Sequence, residues 1–123
     1  METGELGKVY KNGEIIVRQG DVGDCMYVVQ SGQAEVIKEK EGKELQLNVL
    51  GEGGIFGEMA LIDKEVRSAT VRALGEVRIL TVDKKTFLRL MSKDPTVAFS
   101  IVQKMSHRIR ELSNELVKLK FGC

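Results

Sequence analysis

A glycine-rich stretch, followed by an arginine and a serine, holds the residues best suited to binding an anion. Gly57 and the glycines before it precede a short run with a helical pattern, and N–H groups at a helix start can bind an anion that glycine lets approach. Arg67 adds a planar guanidinium for two phosphate oxygens, and the hydroxyl of Ser68 adds another donor. The carboxylate of Glu58 would repel a phosphate and is better suited to accepting hydrogen bonds from ribose hydroxyls. These residue types indicate a ligand that carries both phosphate and sugar.

The same residues form a motif that resembles the phosphate-binding cassette of the cyclic nucleotide-binding domain. That domain occurs in the bacterial cAMP receptor protein family and in regulatory subunits of cAMP-dependent kinase. The motif reads Phe56-Gly57-Glu58-Met59-Ala60-Leu61, then a variable loop, then Arg67-Ser68-Ala69-Thr70-Val71; residues 56–71 are called the cassette below. The resemblance extends from about Val9 to Phe121. Val66 stands where kinase-type members usually have proline, so the cassette looks more bacterial.

The resemblance implies a role for each matching residue. Glu58 would bind the ribose 2′-hydroxyl and Gly57 would lend backbone contacts, while Arg67 would pair with the cyclic phosphate and Ser68 would hydrogen-bond it. The expected ligand is cAMP, with cGMP possible because Ser68 could also bind the 2-amino group of a syn guanine. Within the cassette the predicted ligand-binding residues are Phe56, Gly57, Glu58, Met59, Ala60, Arg67 and Ser68.

Composition sets limits on the other classes of function. The chain has 123 residues and a net charge of +1, which fits one domain over residues 1–123 and no nucleic-acid binding by this chain itself. It has no pattern of a signal peptide and no apolar run long enough to span a bilayer, so we expect no membrane association. Cys25 and Cys123 have no metal-ligand spacing and fit a reducing, cytoplasmic setting.

Elements around the cassette follow a β pattern. From Lys8 to Asp83 short apolar segments alternate with turn signals, which predicts a small antiparallel sandwich or barrel. We expect strands to end at Ser31-Gly32 and at Leu74-Gly75. The resemblance implies a mainly β fold with some α: a jelly-roll-like cyclic nucleotide-binding β-roll over residues 8–83, with short helices and a long C-terminal dimerisation helix.

Beyond residue 83 the apolar period becomes helical. Asp83 could cap a short helix over residues 84–92, and Asp94-Pro95 is a strong start signal for a helix over residues 95–121. Apolar residues in this second helix are spaced alternately three and four apart, which predicts a parallel homodimer. They are called the apolar stripe: Val102, Met105, Ile109, Leu112, Leu116 and Leu119. Packing of this stripe on the β-roll is the alternative.

The same helix bears on base recognition. In the bacterial relatives its polar residues reach the purine, one of them from the partner subunit. Arg108 and Ser113 match those positions here, and Leu112 stands where the cAMP receptor protein has a threonine that helps to read adenine. We therefore add Arg108, Leu112 and Ser113 to the predicted ligand-binding residues.

Three classes of function remain. The first is a regulatory module without chemistry of its own that acts as an allosteric cAMP sensor; an alternative form of it is the regulatory module of a kinase, channel or other enzyme. The second is the effector domain of a cAMP receptor protein-type transcription regulator, without its helix-turn-helix. The third is an enzyme, which we do not expect because no P-loop lysine, metal cluster or nucleophile–base pair accompanies the glycines.

Overall fold

The computed structural model describes residues 6–62 and 65–121, without the side chains at 59, 62, 65, 97 and 121. In this part of the chain the helices are α1 (Met59–Ile62), α2 (Lys84–Lys93) and α3 (Thr96–Phe121). A first compact unit ends at Phe87 and a second begins at Leu88. The strands are β1 (Lys8–Tyr10), β2 (Ile15–Val17), β3 (Val22–Gly23), β4 (Met26–Lys40), β5 (Lys43–Leu50), β6 (Ile55–Phe56), β7 (Glu65–Val66) and β8 (Thr70–Val82).

Two long antiparallel strands, β4 and β8, form the centre of the first unit. Their register runs from Met26 opposite Val82 to Ile37 opposite Thr70. The main sheet has the order β1-β8-β4-β5, with β2 also paired to β8 and β6 also paired to β4, while β3 and β7 form a second, two-stranded sheet. Because β6 enters the cassette and β8 leaves it, β4 holds the cassette at both ends.

The predicted strand ends at Ser31-Gly32 and Leu74-Gly75 are wrong, because β4 and β8 continue through both positions. Gly32 and Gly75 have φ angles of 83° and 76°, and the β4–β8 register shifts on either side of Ser31. A Cβ at Gly32 would lie 2.3 Å from the carbonyl oxygen of Glu76. These glycines therefore permit a bulge at a close strand contact, and the ladder resumes beyond it.

The core of the first unit lies along β4 and β8. Burying an aliphatic side chain of this size contributes about 1.5–3 kcal/mol, so the two strands form a stable support. Phe56, the last residue of β6, belongs to the same apolar cluster and fixes the start of the cassette to it. The largest fully buried side chains are Met26, Val29, Ile37, Thr70, Val77, Ile79 and Val82.

Both later helices begin at an aspartate. The Thr86 N–H donates to Oδ1 of Asp83 at 2.7 Å, which is an N-cap as the sequence indicates. The Thr96 N–H donates to Oδ1 of Asp94 at 3.1 Å, and hydrogen bonds from Thr96 hold the pKa of Asp94 below its ordinary value. The helix after Asp94 starts at Thr96, one residue later than predicted.

Helix α3 carries the apolar stripe on one continuous helix. Met105 is half-buried, and the other five stripe residues are between 54% and 81% exposed. A row of large exposed apolar side chains at heptad spacing is typical of a surface that another helix covers. The stripe residues that are exposed are Val102, Ile109, Leu112, Leu116 and Leu119.

Candidate ligand-binding site

The cassette begins with a tight turn between β6 and α1. Gly57 has a φ of 76°, and a Cβ there would lie 2.6 Å from Nη1 of Arg67 and 3.1 Å from the carbonyl oxygen of Cys25. Only glycine fits both this backbone conformation and this space. Since α1 is a single turn of four residues, its dipole is small, and side chains must supply most of the anion-binding capacity.

Arg67 lies against the backbone of the cassette loop. Its Nη2 donates to the carbonyl oxygen of Cys25 at 2.7 Å and its Nη1 to that of Gly57 at 3.3 Å. A Cβ at Gly23 would lie 2.2 Å from Nε of Arg67, so a second glycine makes room for the guanidinium. Its Cζ lies 5.6 Å from the ring centroid of Tyr27, within the range of a cation–π contact. The guanidinium therefore has a defined seat.

The main chain of Arg67 is fixed as firmly as its side chain. Its N–H donates to the carbonyl oxygen of Asp21 at 2.7 Å, and its own carbonyl accepts from the Gly20 N–H at 2.9 Å. The turn between β2 and β3 thus holds the residue from the opposite side. An arginine held by both backbone and side chain loses little further freedom when it binds a ligand, which favours affinity.

Glu58 supplies a carboxylate on the same loop. The residue is 2% exposed. It lies between Gly57 and the start of α1. A buried carboxylate is costly unless hydrogen-bond donors or charges stabilise it, and such groups concentrate at binding sites. The structure therefore brings the Arg67 guanidinium to the carbonyl oxygen of Gly57, the residue next to this buried carboxylate. Ligand binding by Glu58 and Arg67 stays a prediction.

Ser68 is exposed and continues the chain from Arg67 toward β8. Its carbonyl oxygen accepts a hydrogen bond from Nζ of Lys38 at 2.7 Å. Lys38 has no signal in the sequence, because its partner lies thirty residues away and only the β4–β8 register brings the two together. No local motif could have found it.

Two further predicted ligand-binding residues, Phe56 and Ala60, belong to the packing around the loop. Phe56 is buried and stacks on Tyr27 with ring centroids 5.0 Å apart. Ala60 is also buried, and its N–H donates to the carbonyl oxygen of Gly57 at 3.1 Å. Met59 starts α1, and its side chain is outside the described part of the structure. Their contact with ligand stays a prediction.

The predicted base-reading residues belong to the second unit. Arg108, Leu112 and Ser113 all lie on α3, and each is exposed. Leu112 is also a stripe residue and is 54% exposed. Their role in binding stays a prediction from the sequence.

Burial changes the pKa of two side chains near the cassette. Burial raises the pKa of the Cys25 thiol, with further increases from Asp24, and a thiol with a raised pKa is a poor nucleophile. Burial also raises the pKa of Tyr27, although Arg67 partly offsets it.

Among residues 6–62 and 65–121, no three or more His, Cys, Asp or Glu side chains form a metal-binding group. In that same part of the chain, none of the helices is long and apolar enough to cross a membrane.

Comparison with known proteins gives the family. The model of the cyclic nucleotide-binding domain matches residues 7–94. The cAMP-dependent protein kinase regulatory subunit of Mucor circinelloides f. lusitanicus is 45% identical over 82 residues, which are 67% of this chain and 19% of that protein. The cyclic AMP receptor protein of Thermus thermophilus is 35% identical over 115 residues, 93% of this chain and 53% of that protein. A cGMP-dependent protein kinase of Caenorhabditis elegans is 40% identical over 85 residues, 67% of this chain and 11% of that protein.

Solved structures give the same result for the fold. The crystal structure of the Thermus thermophilus catabolite activator protein superposes with a TM-score of 0.82 at 35% identity, covering 93% of this chain and 54% of that chain. The predicted β-roll is thereby confirmed. This chain spans about half of the Thermus relative and a smaller part of the kinase relatives. With the cassette and its supporting strands inside the matched region, the chain belongs to the cyclic nucleotide-binding domain family.

Proposed function

We propose that this domain takes cAMP as its preferred ligand, holds it through the cassette and acts as a non-catalytic allosteric sensor. The observation that carries the proposal is the seat of Arg67, whose guanidinium bonds the carbonyls of Gly57 and Cys25. This seat places a cationic donor on the loop that also carries the buried Glu58. A cation for the phosphate and a carboxylate for the ribose suit the two parts of a cyclic nucleotide.

The hydrogen bonds of Arg67 leave it able to bind an anion as well. Its two bonds to Gly57 and Cys25 use one N–H each of Nη1 and Nη2, and a guanidinium has further N–H groups. These remaining donors can engage the oxygens of a cyclic phosphate in a fixed plane. Ser68, next in the chain and exposed, can add its hydroxyl to the same phosphate.

Thermal unfolding tests the proposed ligand. A ligand at one hundred times its Kd stabilises the folded state by about 2.7 kcal/mol, and in a domain of this size that raises Tm by roughly 5 °C or more. We expect this shift with cAMP and a much smaller one with 5′-AMP, which lacks the cyclic phosphate. A Tm that millimolar cAMP leaves unchanged would contradict the proposal.

Competition between nucleotides tests the preference for the base. We expect cGMP to displace labelled cAMP measurably, because the Ser68 hydroxyl can accept a hydrogen bond from the 2-amino group of a syn guanine, but with lower affinity than cAMP. The names of the Mucor and Thermus relatives favour cAMP, whereas the Caenorhabditis kinase is named for cGMP. An affinity for cGMP about tenfold above that for cAMP, or 1.4 kcal/mol, would reverse the proposed order.

We also propose that the chain forms a parallel homodimer through the apolar stripe of α3. The exposure of five of its six members, between 54% and 81%, leaves a surface suited to a second copy. Glu115 and Lys120 flank the stripe at g and e positions, where opposite charges pair across a parallel coiled coil. Short coiled coils are marginal alone, so ligand binding could contribute to the stability of the dimer.

A further inference from the structure

Lys38 makes a contact with the cassette that no recognised motif includes. It lies near the end of β4 on the exposed side of the sheet, and its Nζ donates to the carbonyl oxygen of Ser68 at 2.7 Å. Ser68 directly follows Arg67, the proposed phosphate ligand. A cation from β4 therefore holds the peptide group next to the phosphate-binding arginine.

The register explains how Lys38 reaches this peptide. Ile37 opposite Thr70 is the last pair of the β4–β8 ladder, so Lys38 stands one position beyond it, where β8 leaves the cassette. Ser68 lies two positions before Thr70, outside the paired residues of that ladder, and the long lysine stem reaches its carbonyl oxygen. Lys38 thus supplies a side-chain hydrogen bond between β4 and the chain just beyond the ladder.

The strand end that carries Lys38 is itself anchored. The side-chain amide of Gln19 donates to the Glu39 carbonyl oxygen at 3.0 Å and accepts from the Glu39 N–H at 2.8 Å. The next residue, Gly20, donates its N–H to the Arg67 carbonyl oxygen at 2.9 Å. One turn therefore holds both Lys38's strand and Arg67, so the ammonium group approaches Ser68 from a fixed position.

We propose that Lys38 is a positioning residue for the ligand's phosphate, acting through the peptide between Ser68 and Ala69. This peptide is trans, so its C=O and N–H point in opposite directions. Holding the Ser68 carbonyl oxygen therefore fixes the plane of this peptide, including its N–H, and limits rotation of the chain next to Arg67. The inference rests on the proposed function, because it needs a cyclic phosphate as the bound group.

A purely structural role for Lys38 would give a different result. An exposed hydrogen bond of this kind contributes little to folding, so its loss would change Tm and ligand affinity only slightly and without regard to the ligand's chemistry. A positioning role instead changes recognition of particular phosphate oxygens. The two phosphorothioate diastereomers of cAMP, which carry sulfur at one or the other exocyclic oxygen, detect this difference.

The experiment titrates the full chain with cAMP and with both diastereomers. Lys38→Met keeps the apolar stem and removes the donor, and Lys38→Arg restores a donor. Lys40→Met is the matched control, since Lys40 is exposed on the same strand and pairs with Lys43. We expect Lys38→Met to weaken cAMP binding about tenfold, the equivalent of one charge-assisted hydrogen bond. We also expect it to change the affinity ratio of the diastereomers about threefold or more, at an unchanged Tm, with recovery in Lys38→Arg.

Two results would overturn the inference. A diastereomer ratio in Lys38→Met equal to that of the wild type, with cAMP still bound, would refute the positioning role alone. A ratio that shifts equally in Lys40→Met would do the same, because the effect would then be general to charge on β4. Failure of the wild type to bind any cyclic nucleotide would instead refute the proposed function, and this inference with it.

Discussion

Replacing Arg67 with leucine is expected to weaken cAMP binding by about two decades or more. Charge-assisted hydrogen bonds contribute about 1.5–3 kcal/mol each, and every 1.4 kcal/mol is a tenfold change in Kd. Arg67→Lys should also weaken binding, because an ammonium group cannot reproduce the planar fork that bonds the carbonyl oxygens of Gly57 and Cys25 and is proposed to hold the phosphate. Calorimetric titration of each folded variant with cAMP measures the loss.

The control for this prediction is another arginine that bonds a backbone carbonyl. Arg78 on β8 donates to the carbonyl oxygen of Gly7 at 2.8 Å, so Arg78→Leu also removes an arginine–carbonyl bond, but outside the cassette. Thermal unfolding of both variants shows how much stability each one loses. If Arg67→Leu binds cAMP as tightly as Arg78→Leu does, Arg67 is not the phosphate ligand.

Replacing Leu116 with glutamate is expected to convert the dimer to monomer. The residue is 61% exposed in the single chain and belongs to the apolar stripe, so in the proposed dimer two carboxylates would be buried together. Burying an unpaired charge costs several kcal/mol, which corresponds to a loss of about two decades or more in the dimer constant. Sedimentation equilibrium measures the change. Val117→Glu adds the same charge on α3 outside the stripe and should leave the dimer intact.

Dimerisation and ligand binding are expected to be linked. If the dimer binds cAMP more tightly than the monomer, thermodynamic reciprocity requires cAMP to tighten the dimer by the same factor. Leu116→Glu should then weaken cAMP binding although residue 116 need not touch the ligand. A wild-type dimer constant that is equal with and without saturating cAMP would show that α3 is a passive clamp, since only differential affinity can shift a population.

The cassette could be predicted from the sequence because its chemistry is local. Its main residues lie within twelve positions of one another: Gly57, Glu58, Arg67 and Ser68. Their types and spacing can be recognised in the sequence without knowledge of the fold. The helix caps at Asp83 and Asp94 could be predicted for the same reason, because capping depends on a few neighbouring residues. The proposed roles of the cassette residues remain predictions until ligand binding is measured.

Features that depend on long-range register could not be predicted. Gly32 and Gly75 gave ordinary turn signals, yet both lie in continuing strands, because a bulge uses the same positive φ angles as a turn. The contact of Lys38 with Ser68 depends on the same β4–β8 pairing. The seat of Arg67 on Cys25 likewise joins residues 42 positions apart in sequence. Local sequence patterns do not encode these pairings.

Calorimetric titration of the wild-type chain with cAMP, and in parallel with 5′-AMP, tests the central claim most directly. The two nucleotides share base and ribose, but only cAMP presents the cyclic phosphate that Arg67 and Ser68 are proposed to hold. We predict one cAMP bound per chain and an affinity for 5′-AMP at least about a hundredfold lower, or 2.7 kcal/mol. Equal affinities for the two nucleotides, or no heat of binding with cAMP at any temperature tested, would contradict the account.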